Sequence, residues 1–219
     1  MKIYKKKKKT AIITGASEGI GAAFSKLLIK KGWKVFGISR SSSKLRAISK
    51  SFQSNKQSFK YFACDVQDFK KLKSIAKEIE APDLLFLNAG IYSPVNASEI
   101  NLDLYKKHLN INYLGVLNSY EAFLPGLIKK QNGHIIIMSS VSGWIGLPKA
   151  AAYGPTKAAL RSFAQSARYD LNPKGIKVQL CSPGFVETQA TSINDFYMPG
   201  LMNVNEAANL IFKYTVSYT

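Results

Sequence analysis

Short apolar runs alternate with longer stretches of helical period along the whole chain. That alternation limits the fold to βαβ crossovers, and so to a parallel sheet covered on both faces. Thr10–Thr14 is a β-rich run stopped by Gly15. Residues 21–31 then carry Ala22, Ala23, Phe24, Leu27 and Leu28 near the helical repeat, until Gly32 ends the pattern. Strands are predicted at Lys34–Ser39, 60–64, 83–87, 134–138 and Ile176–Cys181. An amphipathic helix is predicted over 68–80, with Phe69, Leu72, Ile75, Ala76 and Ile79 on one face. Residues 102–130 read as one long helix or one broken late at Pro125. Helices are also predicted at Tyr153–Leu171, where Pro155 falls in the tolerant first turn, and at 205–214. The strands read as almost continuous apolar runs, as strands buried on both faces do. No low-complexity linker interrupts them. The expected fold is therefore α/β, a doubly wound parallel sheet with helices on both faces, in a single domain spanning 10–219 after a basic segment, 1–9.

Composition removes several other classes. The chain has 219 residues, 46% hydrophobic and 20% charged, which excludes a disordered, collagen-like or disulfide-framework protein. Its net charge of +18 raises nucleic acid, an anionic membrane or an acidic partner as candidates. The lysines are nevertheless scattered over helix surfaces and loops, apart from the run at 5–9, and read as a solvated surface. Cys64 and Cys181 sit in apolar runs at no metal-binding spacing and read as reduced, buried thiols. No apolar run approaches a membrane span, and Thr14, Ser17 and Glu18 interrupt what would be a signal core. A cytoplasmic protein with no membrane or nucleic-acid partner is the expectation.

In such a sheet, ligands bind beyond the carboxyl ends of the strands. After the first strand comes Thr14-Gly15-Ala16-Ser17-Glu18-Gly19-Ile20-Gly21. Glycines there permit a tight turn, close backbone approach to a phosphate and close helix–sheet packing, and the helix N-terminus offers N–H groups to an anion. After the fourth strand comes Asn88-Ala89-Gly90, and after the fifth, Ser139-Ser140. The next helix opens with Tyr153, and Lys157 lies one turn on, on the same face. An ammonium beside a phenol stabilises phenolate, so a lowered Tyr153 pKa is expected. Alternation along the strand end turns Ser139 away from Ser140. Pro183-Gly184 and then Thr188 come after the sixth strand.

In their order and spacing, TGxxxGxG, Asn88-Ala89-Gly90, Asn112, Ser140, Tyr153-xxx-Lys157 and Pro183-Gly184 resemble the short-chain dehydrogenase/reductase family over about residues 8–214. The resemblance implies a Rossmann-type, NAD(P)-dependent oxidoreductase acting on a small carbonyl or alcohol. It makes Tyr153 the general acid/base, Lys157 a ribose ligand that lowers the tyrosine pKa, Ser140 the group that polarises the substrate oxygen, and Asn112 the holder of a water relay to Lys157. Its cofactor set here is Gly15, Ser17, Gly19, Ile20, Gly21, Arg40, Asp65, Val66, Asn88, Ala89, Gly90, Tyr153, Lys157, Pro183, Gly184, Val186 and Thr188. Asp65-Val66 resembles the adenine-contacting pair, with capping of the helix near Asp68 as the competing role. NAD-using relatives place a carboxylate at the end of the second strand. Here that position reads Ser39-Arg40-Ser41 with no acid from Val35 to Ser43, and Arg40 suits a 2′-phosphate. NADP(H) is favoured over NAD(H), although Glu18 stands where NADPH-using relatives often carry a basic residue.

Phe196, Tyr197, Met198, Leu201 and Met202 lie beyond Pro183-Gly184 and could form an apolar lid or core. Trp144, Ile145 and Leu147 are expected in the pocket wall. The family commonly continues past the last helix into a seventh strand, which this sequence lacks, so a shortened C-terminal end is expected. A homodimer through 102–130 and Tyr153–Leu171 is implied by the resemblance. Two other functions stay open: reduction of 3-oxoacyl groups on an acidic carrier protein, and a non-catalytic nucleotide- or nucleic-acid-binding role.

Overall fold

The computed structural model describes residues 7–52 and 58–216. Its strands are β1 (Thr10–Thr14), β2 (Lys34–Ser39), β3 (Phe59–Ala63), β4 (Leu84–Leu87), β5 (Gly133–Met138) and β6 (Ile176–Cys181). All pair in parallel, in the order β3-β2-β1-β4-β5-β6. The helices are α1 (Gly19–Lys30), α2 (Ser42–Lys50), α3 (Phe69–Glu78), α4 (Leu102–His108), α5 (Gly115–Lys130), α6 (Tyr153–Leu171) and α7 (Val204–Val216).

The two-residue repeat of each strand sorts its side chains into two cores. Ile12, Leu85, Leu87, Ile135 and Ile137 face α3, α5 and α6. Ala11, Ile13, Leu84, Phe86, Ile136 and Met138 face α1, α2 and α7. Each large apolar side chain buried this way contributes roughly 1.5–3 kcal/mol. Phe24 of α1 meets Phe86 of β4 edge-to-face at 5.1 Å, which fixes the first helix against the centre of the sheet. The chain leaves β1 towards β2 on one side and returns to β4 on the other, so a crevice opens between the ends of β1 and β4.

Two elements differ from the sequence expectation. Helix α2 was not foreseen, because its run of Ser and Lys has few apolar residues. It forms because Ser41 caps it, accepting the Lys44 N–H at 3.4 Å, and because Leu45 and Ile48 bury their side chains. The 102–130 segment does not break at Pro125, which lies inside α5. It widens instead into a π-helical segment, Leu109–Leu114, and this turns Asn112 inward.

Of the lysine run, residues 5 and 6 lie outside the described residues. Lys7 pairs with Glu80 at 2.7 Å and Lys9 lies over the Trp33 ring at 5.5 Å. Exposed contacts of this kind add little stability. Cys64 is buried and Cys181 half-buried, both as free thiols, and burial pushes each up to about 11. Among the described residues no helix is long and apolar enough to cross a membrane.

Candidate active site

A cavity of about 740 Å³ runs across the carboxyl ends of the strands. Its floor is the turn between β1 and α1. A Cβ at Gly21 would lie 2.2 Å from the Gly15 carbonyl oxygen and 2.7 Å from the Asn88 amide nitrogen. No side chain fits there, so the turn folds tightly onto the helix start. Gly15 takes a φ of +67°, and a Cβ on it would meet the Ala89 Cα at 2.9 Å. The β4 end is tied to the same turn: the Asn88 and Ala89 N–H groups donate to the Thr14 hydroxyl at 3.0 and 3.1 Å. The Asn88 carboxamide donates to the Thr14 and Gly15 carbonyls at 3.1 and 3.3 Å. Glu18 precedes α1 without a side-chain cap bond, leaving the first-turn N–H groups to a ligand.

At one end of the cavity stand Ser17, Arg40, Lys44, Asp65 and Val66. The Ser39 hydroxyl donates to Ser17 at 2.7 Å and joins the two loops. Arg40 is exposed. Lys44, one of the scattered lysines read from sequence as solvated surface, instead lines the cavity from α2 and forms an ion pair with Glu18. Asp65 does not cap a helix; its Oδ1 accepts the Gln67 N–H at 2.9 Å. The α3 cap is Asp68, which accepts the Lys71 N–H at 3.0 Å. At the far side, Val186 and Thr188 come after Pro183-Gly184, and Thr188 closes on Gly19.

Ser140, Tyr153 and Lys157 meet at the middle of this cavity. Ser140 is nearly buried, its Oγ accepting the Ser142 N–H at 3.2 Å. Ser139 turns the other way and donates to the Lys157 carbonyl at 2.9 Å. The Lys157 ammonium lies 5.4 Å from the Tyr153 ring centroid and donates to the Met138 carbonyl at 2.9 Å. Asn112 lies next to them but is already bonded. Its carboxamide donates to Ile91 O at 2.9 Å and to the Thr156 hydroxyl at 3.4 Å, and it accepts the Ile91 N–H at 2.7 Å. These bonds pin the loop after β4 to α6 and hold Asn112 close to the Lys157 ammonium, both reaching the same side of Gly90.

The lowered Tyr153 pKa expected from sequence is also corrected. Burial pushes the phenol up to about 12, against the opposing hydrogen bond from Ser140. The same burial pushes Lys157 down to about 8. Above about pH 8 the folded chain releases the Lys157 proton, while the unfolded chain holds it to about 10.5. The unfolded state then binds more protons, so stability rises with pH over this window, by up to roughly 3 kcal/mol. Above pH 10 Tyr153 opposes this, because the folded state keeps a proton that the unfolded state loses. Urea unfolding between about pH 8 and pH 10 should show this gain in the native chain and not in Lys157→Met. A pH-independent difference between the two would refute it.

Beyond Tyr153 the wall is apolar. Tyr92 packs edge-to-face on Tyr153 at 5.3 Å, and Phe185 on Phe196 at 5.9 Å. Leu147 lines the cavity as expected, but Trp144 and Ile145 do not; they are 54% and 62% exposed. Trp144 instead donates to Ser182 at 3.0 Å and stacks under Arg161. Of the candidate lid residues only Phe196 reaches the cavity, while Tyr197 is 85% exposed. Sequence reading passed over Tyr92, although its place two residues after Gly90 at a strand end was an available signal.

Comparison with known proteins places the chain. The short chain dehydrogenase family pattern matches residues 9–195. The chain belongs to the short-chain dehydrogenase/reductase family. This short-chain dehydrogenase is 31% identical to an uncharacterized oxidoreductase of Myxococcus xanthus, over 94% of this chain and 83% of the relative. It is 33% identical to the 3-oxoacyl-(acyl-carrier-protein) reductase of Vibrio harveyi, over 85% and 78%. A solved structure, ElxO with NADP bound, matches this short-chain dehydrogenase with a TM-score of 0.84 at 26% identity, covering 94% of this chain and 91% of that one.

Proposed function

We propose that the chain is an NADPH-dependent oxidoreductase that interconverts a carbonyl and a secondary alcohol, with Tyr153 as general acid/base. One observation carries this reading: Ser140, Tyr153 and Lys157 converge at the midpoint of a cavity with a glycine cradle and cations at one end and an apolar wall at the other. The cradle fits a dinucleotide. Side chains are excluded at Gly15 and Gly21 by backbone a few ångströms away, and the uncapped start of α1 faces the space a pyrophosphate needs. The NADP bound to ElxO supports the same class of cofactor.

When bound, the reduced nicotinamide supplies the hydride equivalent to the carbonyl carbon. The rest is done by the chain. Ser140 holds the substrate oxygen. Tyr153, kept as a phenol by burial, donates its proton as that oxygen becomes an alkoxide. Lys157 stabilises the phenolate left behind. With a pKa of about 8 against about 12, it is the stronger acid and can reload the phenol.

Arg40 and Lys44 are assigned to the 2′-phosphate, with Lys44 exchanging Glu18 for the ligand. Charge-assisted contacts of this kind contribute about 1.5–3 kcal/mol, roughly 10–100-fold in affinity. In a fluorescence titration NADPH should bind at least about tenfold more tightly than NADH, and Arg40→Asp should remove or reverse the difference. Equal affinities that Arg40→Asp leaves unchanged would refute the assignment. Reduction of 3-oxoacyl groups on an acidic carrier is the narrower reading, supported by the Vibrio harveyi relative and the +18 charge. A homodimer through α4, α5 and α6 belongs to the same proposal, supported by exposed Leu109, Leu114 and Ile128 on that surface.

A further inference from the structure

The cavity is divided by charge. Among the described residues that line it, Glu18, Arg40, Lys44 and Asp65 all stand in the dinucleotide half, and Lys157 lies beside Tyr153. Past Tyr153 the lining includes Ile91, Tyr92, Leu147, Pro148, Phe185 and Phe196, with no charged side chain. The lysine nearest this wall, Lys149, is already held by both oxygens of Asp195 at 2.7 Å. That pair joins the loop before α6 to the loop carrying Phe196, and Lys149 is not among the residues lining the cavity. The polar group of note on this side is Asn194, whose buried Oδ1 has no partner.

From this juxtaposition we infer that the substrate is an uncharged carbonyl compound with an aryl or alkyl body, and that carboxylate-bearing carbonyl compounds are excluded. The inference rests on the oxidoreductase reading for which end of the cavity holds the substrate. A carboxylate placed against Tyr92, Phe185 and Phe196 would lose its water and gain no counter-ion. A neutral ester of the same shape loses little. The edge-to-face pairs offer flat apolar faces on either side, which suits a planar ring or an extended chain.

The test compares methyl 4-acetylbenzoate with 4-acetylbenzoate, near-isosteric and different in charge. Binding to the full chain with NADPH present is measured by calorimetry, independently of turnover. The ester is expected to bind at least about a hundredfold more tightly than the carboxylate. Phe196→Arg, at a site already 37% exposed, should raise the affinity for the carboxylate at least about tenfold and lower that for the ester. The ester binding preferentially without being reduced would support this inference while counting against the oxidoreductase reading. Carboxylate binding as tight as ester binding would overturn the inference, even if both were reduced. Failure of both to bind would also overturn it.

Discussion

Replacing Tyr153 with Phe is expected to lower turnover by about 10²–10⁴-fold, the range for loss of a positioned general acid. NADPH affinity should stay within a few-fold of the native value, because the proposed phosphate contacts lie at the other end of the cavity and the proposed ribose ligand, Lys157, is unchanged. The substitution removes only the hydroxyl. The ring keeps its edge-to-face contact with Tyr92 and its place over the Lys157 ammonium. Steady-state kinetics with a titration of cofactor separate the two quantities. Turnover that survives undiminished would defeat the assignment of Tyr153, and loss of cofactor binding would show that the hydroxyl serves a structural purpose.

The second large effect is on stability. Phe86→Ala should destabilise the fold by about 3–5 kcal/mol. Phe86 is fully buried in β4, and its ring edge supports Phe24 of α1. Truncation leaves a cavity under the helix whose start forms the proposed phosphate cradle, so the loss should extend from packing to binding. Urea unfolding should show the lower midpoint. Saturating NADPH should recover part of the loss in proportion to its remaining affinity. A change below about 1 kcal/mol would mean that the α1–sheet contact is not what holds the cradle in place.

Much of the site was legible because its signals are local. Strand runs that alternate with helical periods dictate a parallel sheet, and the residues just after each strand then gather along one edge of it. Gly15 and Gly21 are demanded by contacts of 2.8 and 2.2 Å, which no other residue survives. Tyr153 and Lys157 lie one helical turn apart and had to share a face. The parts that escaped depend on burial or on distant pairing. Residues 42–50 carry too few apolar side chains for their period to stand out, and with α2 unread, Lys44 and its pairing with Glu18 were out of view. The π-helical widening at Leu109–Leu114 has no sequence period of its own, and the Asn112–Ile91 bonds that accompany it join segments distant in the chain. The direction of the Tyr153 shift was misread because proximity to a lysine shows in the sequence, whereas the burial that outweighs it shows only in the fold.

The central claim is that one cavity brings a reduced dinucleotide and an uncharged carbonyl together at Ser140, Tyr153 and Lys157. Isotope transfer tests it most directly. With NADPH carrying deuterium at both nicotinamide C4 positions and methyl 4-acetylbenzoate as acceptor, mass spectrometry should find one deuterium on the carbinol carbon of the product. The native chain should produce that label, and Tyr153→Phe should produce almost none in the same time. Alcohol product without deuterium, or equal labelling by both chains, would contradict the account.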